Sequence, residues 1–183
     1  MAVRGRRHCL RKTGDSETLI LNSMRDIPEE TRKSCMARLY FGNHLYLPGA
    51  VKNVDFCIAR AEEPPRWLFW AEAKKKETPL ARMLTQLILT VRKHAAPGIS
   101  MPEWIGVFDC RRICFIPISV MHELAGIKAE GAAPSDSSNP KFKEFEEAVR
   151  EKLYNSKSCL FELRETEKIM EFVDENILKN QAC

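Results

Sequence analysis

Two apolar runs of different pattern dominate the first half of the chain. Residues 51–59 (VKNVDFCIA) alternate between apolar and more polar positions, which predicts a β-strand. The apolar set is Val54, Phe56 and Ile58. Residues 67–74 (WLFWAEAK) begin with consecutive apolar positions, which predicts a central strand covered on both faces. The turn-forming sequence AEEPPR lies between the two runs, so the two strands can pair as a hairpin.

A helical period follows these strands. Thr78 and Pro79 are suited to the N-cap and first position of a helix, and the apolar residues after them recur at spacings of three, four and seven. They are Leu80, Met83, Leu84, Leu87, Ile88 and Val91. The helix is predicted to end near His94. An earlier helix is predicted from about Pro28, and residues 42–49 after it are predicted to be loop.

The second half predicts two more strands and then helices. The runs WIGVFDC and ICFIPIS are joined by Arg111 and Arg112, which is typical of a hairpin. A charged helix at about 140–154, the short run CLFEL and a last helix at about 165–180 complete the chain. This order of elements predicts an α/β fold, with a mixed β-sheet flanked by helices and an additional helical segment at the C-terminal end.

Four segments are predicted along the chain. Residues 1–14 are a basic arm, either solvated or in contact with a phosphate backbone, and residues 15–130 form the α/β core. Residues 131–140 (GAAPSDSSNP) are a flexible loop. Residues 141–183 are a helical extension, which packs on the core or on a neighbouring domain.

Composition narrows the class of protein. The chain has 183 residues, of which 44% are hydrophobic and 30% charged, and these values are typical of one globular domain. No apolar run approaches the roughly 18 residues of a membrane span, and no secretion signal is visible, so a cytoplasmic protein without a membrane partner is expected. The formal charge of +4 is compatible with a polyanionic partner.

The seven cysteines are scattered, which favours reduced thiols. The nearest approach to a metal cluster is formed by Cys110, Cys114 and His122, whose spacing fits no standard zinc module.

The charged residues Glu72 and Lys74, at the end of the predicted central strand, are candidates for a catalytic site. Residues two apart on a strand share a face, so Glu72 and Lys74 are expected to project together, in line with Leu68 and Trp70. Hairpin pairing would bring Asp55 of the preceding strand towards Glu72. Two close carboxylates repel each other unless a cation lies between them, and their oxygen atoms suit Mg²⁺ or Mn²⁺. A neighbouring lysine can orient a water molecule and balance charge on a phosphate oxygen, which is the chemistry of phosphodiester hydrolysis.

Asp55, Glu72 and Lys74, on two successive strands followed by a helix, resemble the motif of the PD-(D/E)xK nuclease superfamily. The segment PEETRKSCMARLYFG is similar to the Glu-Thr-Arg segment of the nuclease domain of type I restriction subunits, and AEAKK is similar to their motif strand. Similar segments occur in fused restriction-methylation polypeptides, of which this chain could be an excised domain. The resemblance covers about residues 25–118.

The resemblance implies a Mg²⁺- or Mn²⁺-dependent endodeoxyribonuclease domain with a restriction-endonuclease-like sheet, acting in bacterial restriction or DNA processing. Asp55, Glu72 and the Ala73 backbone carbonyl would hold the metal, and Lys74 would position the attacking water. Glu30 on the preceding helix and Gln86 on the following helix would be auxiliary site residues. The implied partners are DNA and a methyltransferase or specificity domain in cis or trans, and a homodimer is possible.

Simpler interpretations remain open for each residue. The strand could run out into solvent, with Lys74 extended along its surface, and Lys75 and Lys76 are expected to be solvated. Gln86 could be an ordinary surface glutamine, and Glu30 an acid favoured by the dipole at a helix N-terminus. The alternative function is a non-catalytic module of the same fold that binds DNA or a partner protein. RNA or branched DNA is an alternative substrate.

Overall fold

The computed structural model describes residues 27–94, 99–124, 126–156 and 158–179. The predicted basic arm, residues 1–14, lies outside these residues. Within them the chain forms six strands and five α-helices. In chain order these are α1 Glu29–Phe41, β1 Leu45–Tyr46, β2 Phe56–Arg60, β3 Arg66–Ala73, α2 Leu80–His94, β4 Trp104–Phe108, β5 Arg112–Pro117, α3 Ile118–Glu123, α4 Pro140–Asn155, β6 Cys159–Glu162 and α5 Thr166–Phe172. A π-helical segment, Val173–Leu178, continues α5.

All six strands belong to one mixed sheet, which confirms the predicted fold class. Their order across the sheet is the chain order, β1 to β6. Strands β3 and β4 are parallel, and the other neighbouring pairs are antiparallel. Parallel neighbours require a crossover, which α2 provides. The C-terminal ends of β3 and β4 therefore lie together at one edge of the sheet.

Helices cover both faces of the sheet, which is why β3 is apolar on both sides. Trp70 packs in a cluster with apolar residues of α2 and α4, such as Leu84 and Phe145. Phe69 packs on the other face, in a cluster with residues of α1 and α5 such as Met36 and Ile169. Both Phe69 and Trp70 are fully buried. Among the described residues, no helix combines the length and the apolar character needed to cross a bilayer.

The start of the first predicted strand was wrong, because residues 51–55 form a turn. The Val54 amide donates to the Val51 carbonyl at 3.0 Å, and Asn53 has a φ of 62°. As a result β2 begins only at Phe56, and Val54 packs with Trp70 on the face opposite Phe56. The segment predicted as loop at 42–49 also contains a short strand, β1.

Strict alternation predicted that Leu68 and Trp70 share a face of the sheet, but in the structure they lie on opposite faces. The register between β2 and β3 shifts there, since Ile58 pairs with Phe69 but Ala59 pairs with Trp67. Leu68 is the extra residue, and it packs beside Phe69 in the α1 cluster. Alternation resumes beyond the shift, towards Glu72.

Candidate active site

Glu72 is a buried carboxylate at the end of the central strand. Its neighbours Ala71 and Ala73 pack against the α1 side of the sheet, so the Glu72 side chain points to the α2 side. Only 6% of the residue is exposed. The parallel pairing of Glu72 with Val107 fixes its backbone in the middle of the sheet.

Asp55 lies immediately before β2, next to the end of β3. The last antiparallel pair joins Phe56 to Ala71, so Asp55 and Glu72 are the next residues along each strand. The Ala73 amide donates to Asp55 Oδ2 at 3.1 Å, which binds this carboxylate to the end of the motif strand. The predicted approach of Asp55 to the Glu72 region is therefore present.

The Lys74 side chain lies on the same face of the strand as that of Glu72, as alternation predicts. Its Nζ atom donates to Glu72 Oε1 at 2.5 Å. Its own amide donates to the Phe108 carbonyl at 2.9 Å, which extends the pairing of β3 with β4 by one residue. The lysine head is partly exposed whereas the carboxylate is buried, so the pair faces solvent through the lysine.

The pKa of Glu72 is raised from its ordinary value of 4.5 to about 7, chiefly by burial and next by the charge of Asp55. The hydrogen bond from Lys74 and the charges of Lys74 and Lys33 act in the opposite direction. The charge of Asp55 thus disfavours the ionised form of Glu72 even with Lys74 in place. An additional cation between them would relieve this repulsion.

The C-terminal end of β3 and the neighbouring Asp55 offer a small set of oxygen ligands for a metal ion. Asp55 and Glu72 supply two carboxylates, and the Ala73 carbonyl is a third oxygen at the same strand end. Mg²⁺ accepts one or two protein carboxylates and completes its octahedral coordination with water and substrate oxygens, so this donor set fits it. Among the described residues, no group of three or more His, Cys, Asp or Glu side chains is arranged to hold a metal.

The upstream acid Glu30 reaches Asp55 only through a lysine. Lys33 Nζ donates to Glu30 Oε1 at 2.8 Å and lies 4.0 Å from Asp55 Oδ1. The Glu30 side chain is 70% exposed, so it stands at the mouth of the cluster rather than inside it. Sequence reasoning identified Glu30 but missed Lys33, which joins α1 to the site.

Arg32 was also missed, and it fixes the backbone at the end of β3. The fully buried guanidinium donates through Nη1 to the carbonyl of Lys74 at 3.0 Å and through Nη2 to that of Lys75 at 3.4 Å. These bonds hold the chain at the position where Lys74 leaves the sheet. A detectable signal exists, because Arg32 stands three and four positions before the buried Cys35 and Met36 and thus on the core face of α1.

Tyr46 of β1 adds an unused polar atom beside Lys33. Its hydroxyl is buried and has no hydrogen-bond partner within the described parts of the chain. Burial raises the pKa of Tyr46 to about 12, and the charge of Glu30 contributes to the increase. The phenol is therefore neutral at physiological pH, and it can donate a hydrogen bond to a bound group.

Gln86 is engaged with the 131–140 loop. Its Nε2 atom donates to the Pro134 carbonyl at 3.2 Å. No hydrogen bond joins Gln86 to Asp55, Glu72 or Lys74 among the residues that the structure describes. The carboxamide thus attaches α2 to the segment that precedes α4.

Asp109 holds the chain at the C-terminal end of the neighbouring strand, β4. Like Glu72, it is an acidic residue that follows an apolar run in the sequence. It follows the apolar strand β4, is fully buried, and accepts hydrogen bonds from the amides of Thr78, Arg111 and Arg112. Thr78 lies two residues before the first residue of α2, Leu80, and its hydroxyl donates to the Lys76 carbonyl at 2.9 Å. Asp109 therefore ties the loop before α2 to the turn between β4 and β5.

A shallow cleft of about 280 Å³ lies between these two connections. Its lining residues are Lys75, Lys76, Glu77, Cys110 and Arg111. Arg111 Nη1 lies 3.6 Å from Glu77 Oε2, so one of the three cations is partly balanced. The cleft begins one residue after Lys74 and gives this edge of the sheet a positive charge.

Comparison of the chain with protein-family models, with characterised proteins and with solved structures gives no match.

Proposed function

We propose that this chain is a metal-dependent endodeoxyribonuclease domain that hydrolyses DNA phosphodiester bonds. The observation that carries the proposal is the meeting of Asp55, Glu72 and Lys74 at the C-terminal end of a central strand. The Ala73 amide binds Asp55 and the Lys74 ammonium binds Glu72, so the three groups surround one strand end. Keeping them there is costly, because Glu72 is buried beside a second acid.

Asp55, Glu72 and the Ala73 carbonyl would hold a Mg²⁺ or Mn²⁺ ion. When bound, such an ion supplies Lewis-acid activation of water and of a phosphate oxygen. The carboxylates bind the cation in their ionised forms, so Glu72 must release any proton it carries. Burial of Glu72 reduces the screening of its charge by bulk water, whereas the Asp55 side chain is 32% exposed.

Lys74 is the residue best placed to act on the substrate. Its ammonium is already fixed by Glu72 and is partly exposed, so it can donate to an attacking water or to a phosphate oxygen at the same time. Hydrolysis joins the water oxygen to phosphorus and breaks one P–O bond, and a proton passes to the departing oxygen. An ammonium beside the phosphate offsets the negative charge that develops in this step.

The basic cleft supports a polyanionic substrate. Lys75, Lys76 and Arg111 extend the positive charge away from Lys74 along the same edge of the sheet. Cations in a row beside a catalytic strand end suit a sugar-phosphate backbone, which carries a charge at every nucleotide. The resemblance to restriction nucleases favours DNA in a bacterial cytoplasm, with a methyltransferase or specificity domain as partner and a homodimer as a possible assembly.

The direct test is cleavage of supercoiled plasmid DNA by the purified chain. We expect conversion to nicked and linear forms in Mg²⁺ or Mn²⁺, and none in EDTA. Cleavage that persists at full rate in EDTA would contradict the metal requirement, and an inert protein in both metals would contradict the nuclease proposal.

A second candidate is a non-catalytic module that binds DNA through the same edge. It is favoured by the engagement of Asp55, whose Oδ2 accepts the Ala73 amide and whose Oδ1 is near Lys33. This candidate predicts a mobility shift of a DNA duplex in Mg²⁺ with no product, and plasmid cleavage that depends on Lys74 would exclude it.

A further inference from the structure

Lys33 places a buried positive charge beside the candidate metal ligands. Its Nζ atom contacts Glu30 Oε1 at 2.8 Å and Glu29 Oε1 at 3.0 Å, both on its own helix, and lies 4.0 Å from Asp55 Oδ1. Only 5% of the Lys33 side chain is exposed, whereas the side chains of Glu29, Glu30 and Asp55 are 33%, 70% and 32% exposed. The ammonium therefore lies at the centre of an acidic group rather than on its surface.

The ammonium remains charged in this position. Burial alone would lower the pKa of Lys33, but the hydrogen bonds to Glu30 and Glu29 and the charge of Asp55 raise it above its usual value. The same charge acts on Glu72 from a greater distance. Lys33 is thus a fixed cation at the position where Asp55 would otherwise meet other acids with no counter-ion.

We propose that Lys33 is a positioning residue that serves as a built-in cation, holding Asp55 and the acids of α1 together without metal and opposing the metal when it binds. The inference rests on the proposed function, since it concerns the same metal site. The geometry carries it, because a single ammonium bridges α1 to the strand-end carboxylate at the distances given above.

Two effects of opposite sign follow from this arrangement. Without metal, loss of the ammonium leaves Glu29, Glu30 and Asp55 with no shared counter-ion, which destabilises the fold. With metal, loss of the ammonium removes a positive charge near a divalent cation, which strengthens binding of that cation. If Lys33 had a merely structural role, its replacement would lower both the stability of the fold and the affinity for the metal.

The test is a calorimetric Mn²⁺ titration of the DNA-free chain, with thermal unfolding in EDTA alongside. Lys33→Met keeps the length and apolar body of the side chain but not its charge. We expect Mn²⁺ to bind roughly tenfold more tightly than to the unaltered chain. The unfolding midpoint in EDTA should fall by about 3–6 °C. Lys33→Gln is a second neutral variant, which can still donate to Glu30 and protects the test against misfolding of the first.

Lys141→Met is the matched control for net charge. Lys141 lies on α4 and pairs with Glu144 on an exposed face, so its removal changes the total charge by the same amount without altering the site. Its Mn²⁺ affinity should equal that of the unaltered chain within about twofold.

Each outcome decides between the possibilities. If the unaltered chain binds Mn²⁺ and the neutral Lys33 variants bind it equally or more weakly, the inference is wrong while the metal site stands. If neither the unaltered chain nor these variants bind Mn²⁺, the proposed metal-dependent function and the inference fail together. Tighter binding by the Lys141 control would also overturn the inference, because net charge alone would then explain the gain.

Discussion

Lys74 Nζ and Glu72 Oε1 lie 2.5 Å apart, and the lysine side chain is 32% exposed whereas that of the glutamate is 8% exposed. A strand that simply surfaces into solvent would expose both charges. Here the carboxylate stays under the sheet edge and the ammonium reaches the surface, so a substrate would meet the lysine while the acid holds it from behind. This asymmetry gives the two residues different expected consequences on mutation.

Lys74→Ala should abolish cleavage and leave the fold intact. The variant removes the ammonium that would face the phosphate, and loss of one such electrostatic contact typically costs on the order of 10²-fold or more in rate. The protein should still fold, because Glu72, whose pKa is already raised to about 7, can take up a proton when it loses the ammonium. Plasmid cleavage in Mg²⁺ and thermal unfolding measure the two effects, with Lys143→Ala on the exposed side of α4 as control. Cleavage at the original rate by the Lys74 variant would remove this lysine from the mechanism.

Glu72→Gln should stabilise the metal-free protein at alkaline pH. The folded pKa of Glu72 is about 7, above its ordinary 4.5, so the stability associated with its neutral form is present below pH 4.5 and is lost as the pH rises through 7. At about pH 8 the amide avoids the burial of a charge and should be more stable by about 2 kcal/mol. Near pH 4 the difference should vanish. Urea unfolding in EDTA at both pH values checks this. Equal stability of the variant and the unaltered chain at pH 8 would show that the surroundings do not raise the pKa of Glu72.

The central part of this site could be predicted from the sequence because it is local. Glu72 and Lys74 are two positions apart on one strand, and the apolar run before them identified that strand. The faces of Val54 and Leu68 could not be predicted, since they depend on a turn at Asn53 and on a register shift between β2 and β3. Such a shift is decided by pairing with another strand and leaves no periodic signal.

The contributions of α1 were hidden for a related reason. Arg32 and Lys33 are buried although charged, so α1 lacks the clear apolar stripe that makes α2 easy to predict. Arg32 meets the Lys74 carbonyl 42 positions along the chain, and such contacts depend on the completed fold. Gln86 illustrates the opposite problem. It lies on α2, the helix on which an auxiliary site residue was expected, but its side chain donates to the carbonyl of Pro134, 48 positions along the chain.

Arg32→Lys should lower both stability and cleavage. A lysine cannot reproduce the donation from two nitrogens to the Lys74 and Lys75 carbonyls, so the end of β3 loses hydrogen bonds that the buried Arg32 supplies. We expect a loss of about 2–4 kcal/mol in the free energy of unfolding. Urea unfolding measures this, and Arg164→Lys, at a side chain that is 73% exposed, is the control. If both variants unfold at the same urea concentration, Arg32 does not hold the strand end.

Reversal of charge in the cleft should weaken DNA binding uniformly across sequences. The double variant Lys75→Glu, Lys76→Glu removes two cations beside Lys74, so fewer counterions are released on binding and the salt dependence should fall by about two units in slope. Fluorescence anisotropy with a labelled duplex measures affinity, in a Lys74→Ala background that prevents cleavage. The matched control is Lys141→Glu, Lys143→Glu on α4. Equal losses in both double variants would assign the effect to net charge, and no loss in either would remove the cleft from the DNA path.

Gln86→Ala separates a role in the site from a role in the loop. Since the Gln86 amide donates to the Pro134 carbonyl, its loss should release the 131–140 segment and leave the groups around Glu72 in place. We therefore expect faster limited proteolysis within residues 131–140, because the segment loses one partly buried hydrogen bond, which contributes about 1 kcal/mol. The rate of DNA cleavage should stay within about threefold of that of the unaltered chain, because this hydrogen bond does not involve Asp55, Glu72 or Lys74. Arg82→Ala, one turn earlier on α2 and paired with Glu146, is a control for general loosening of the helix. A loss of cleavage of on the order of 10²-fold, with unchanged proteolysis, would instead place the glutamine in the catalytic site.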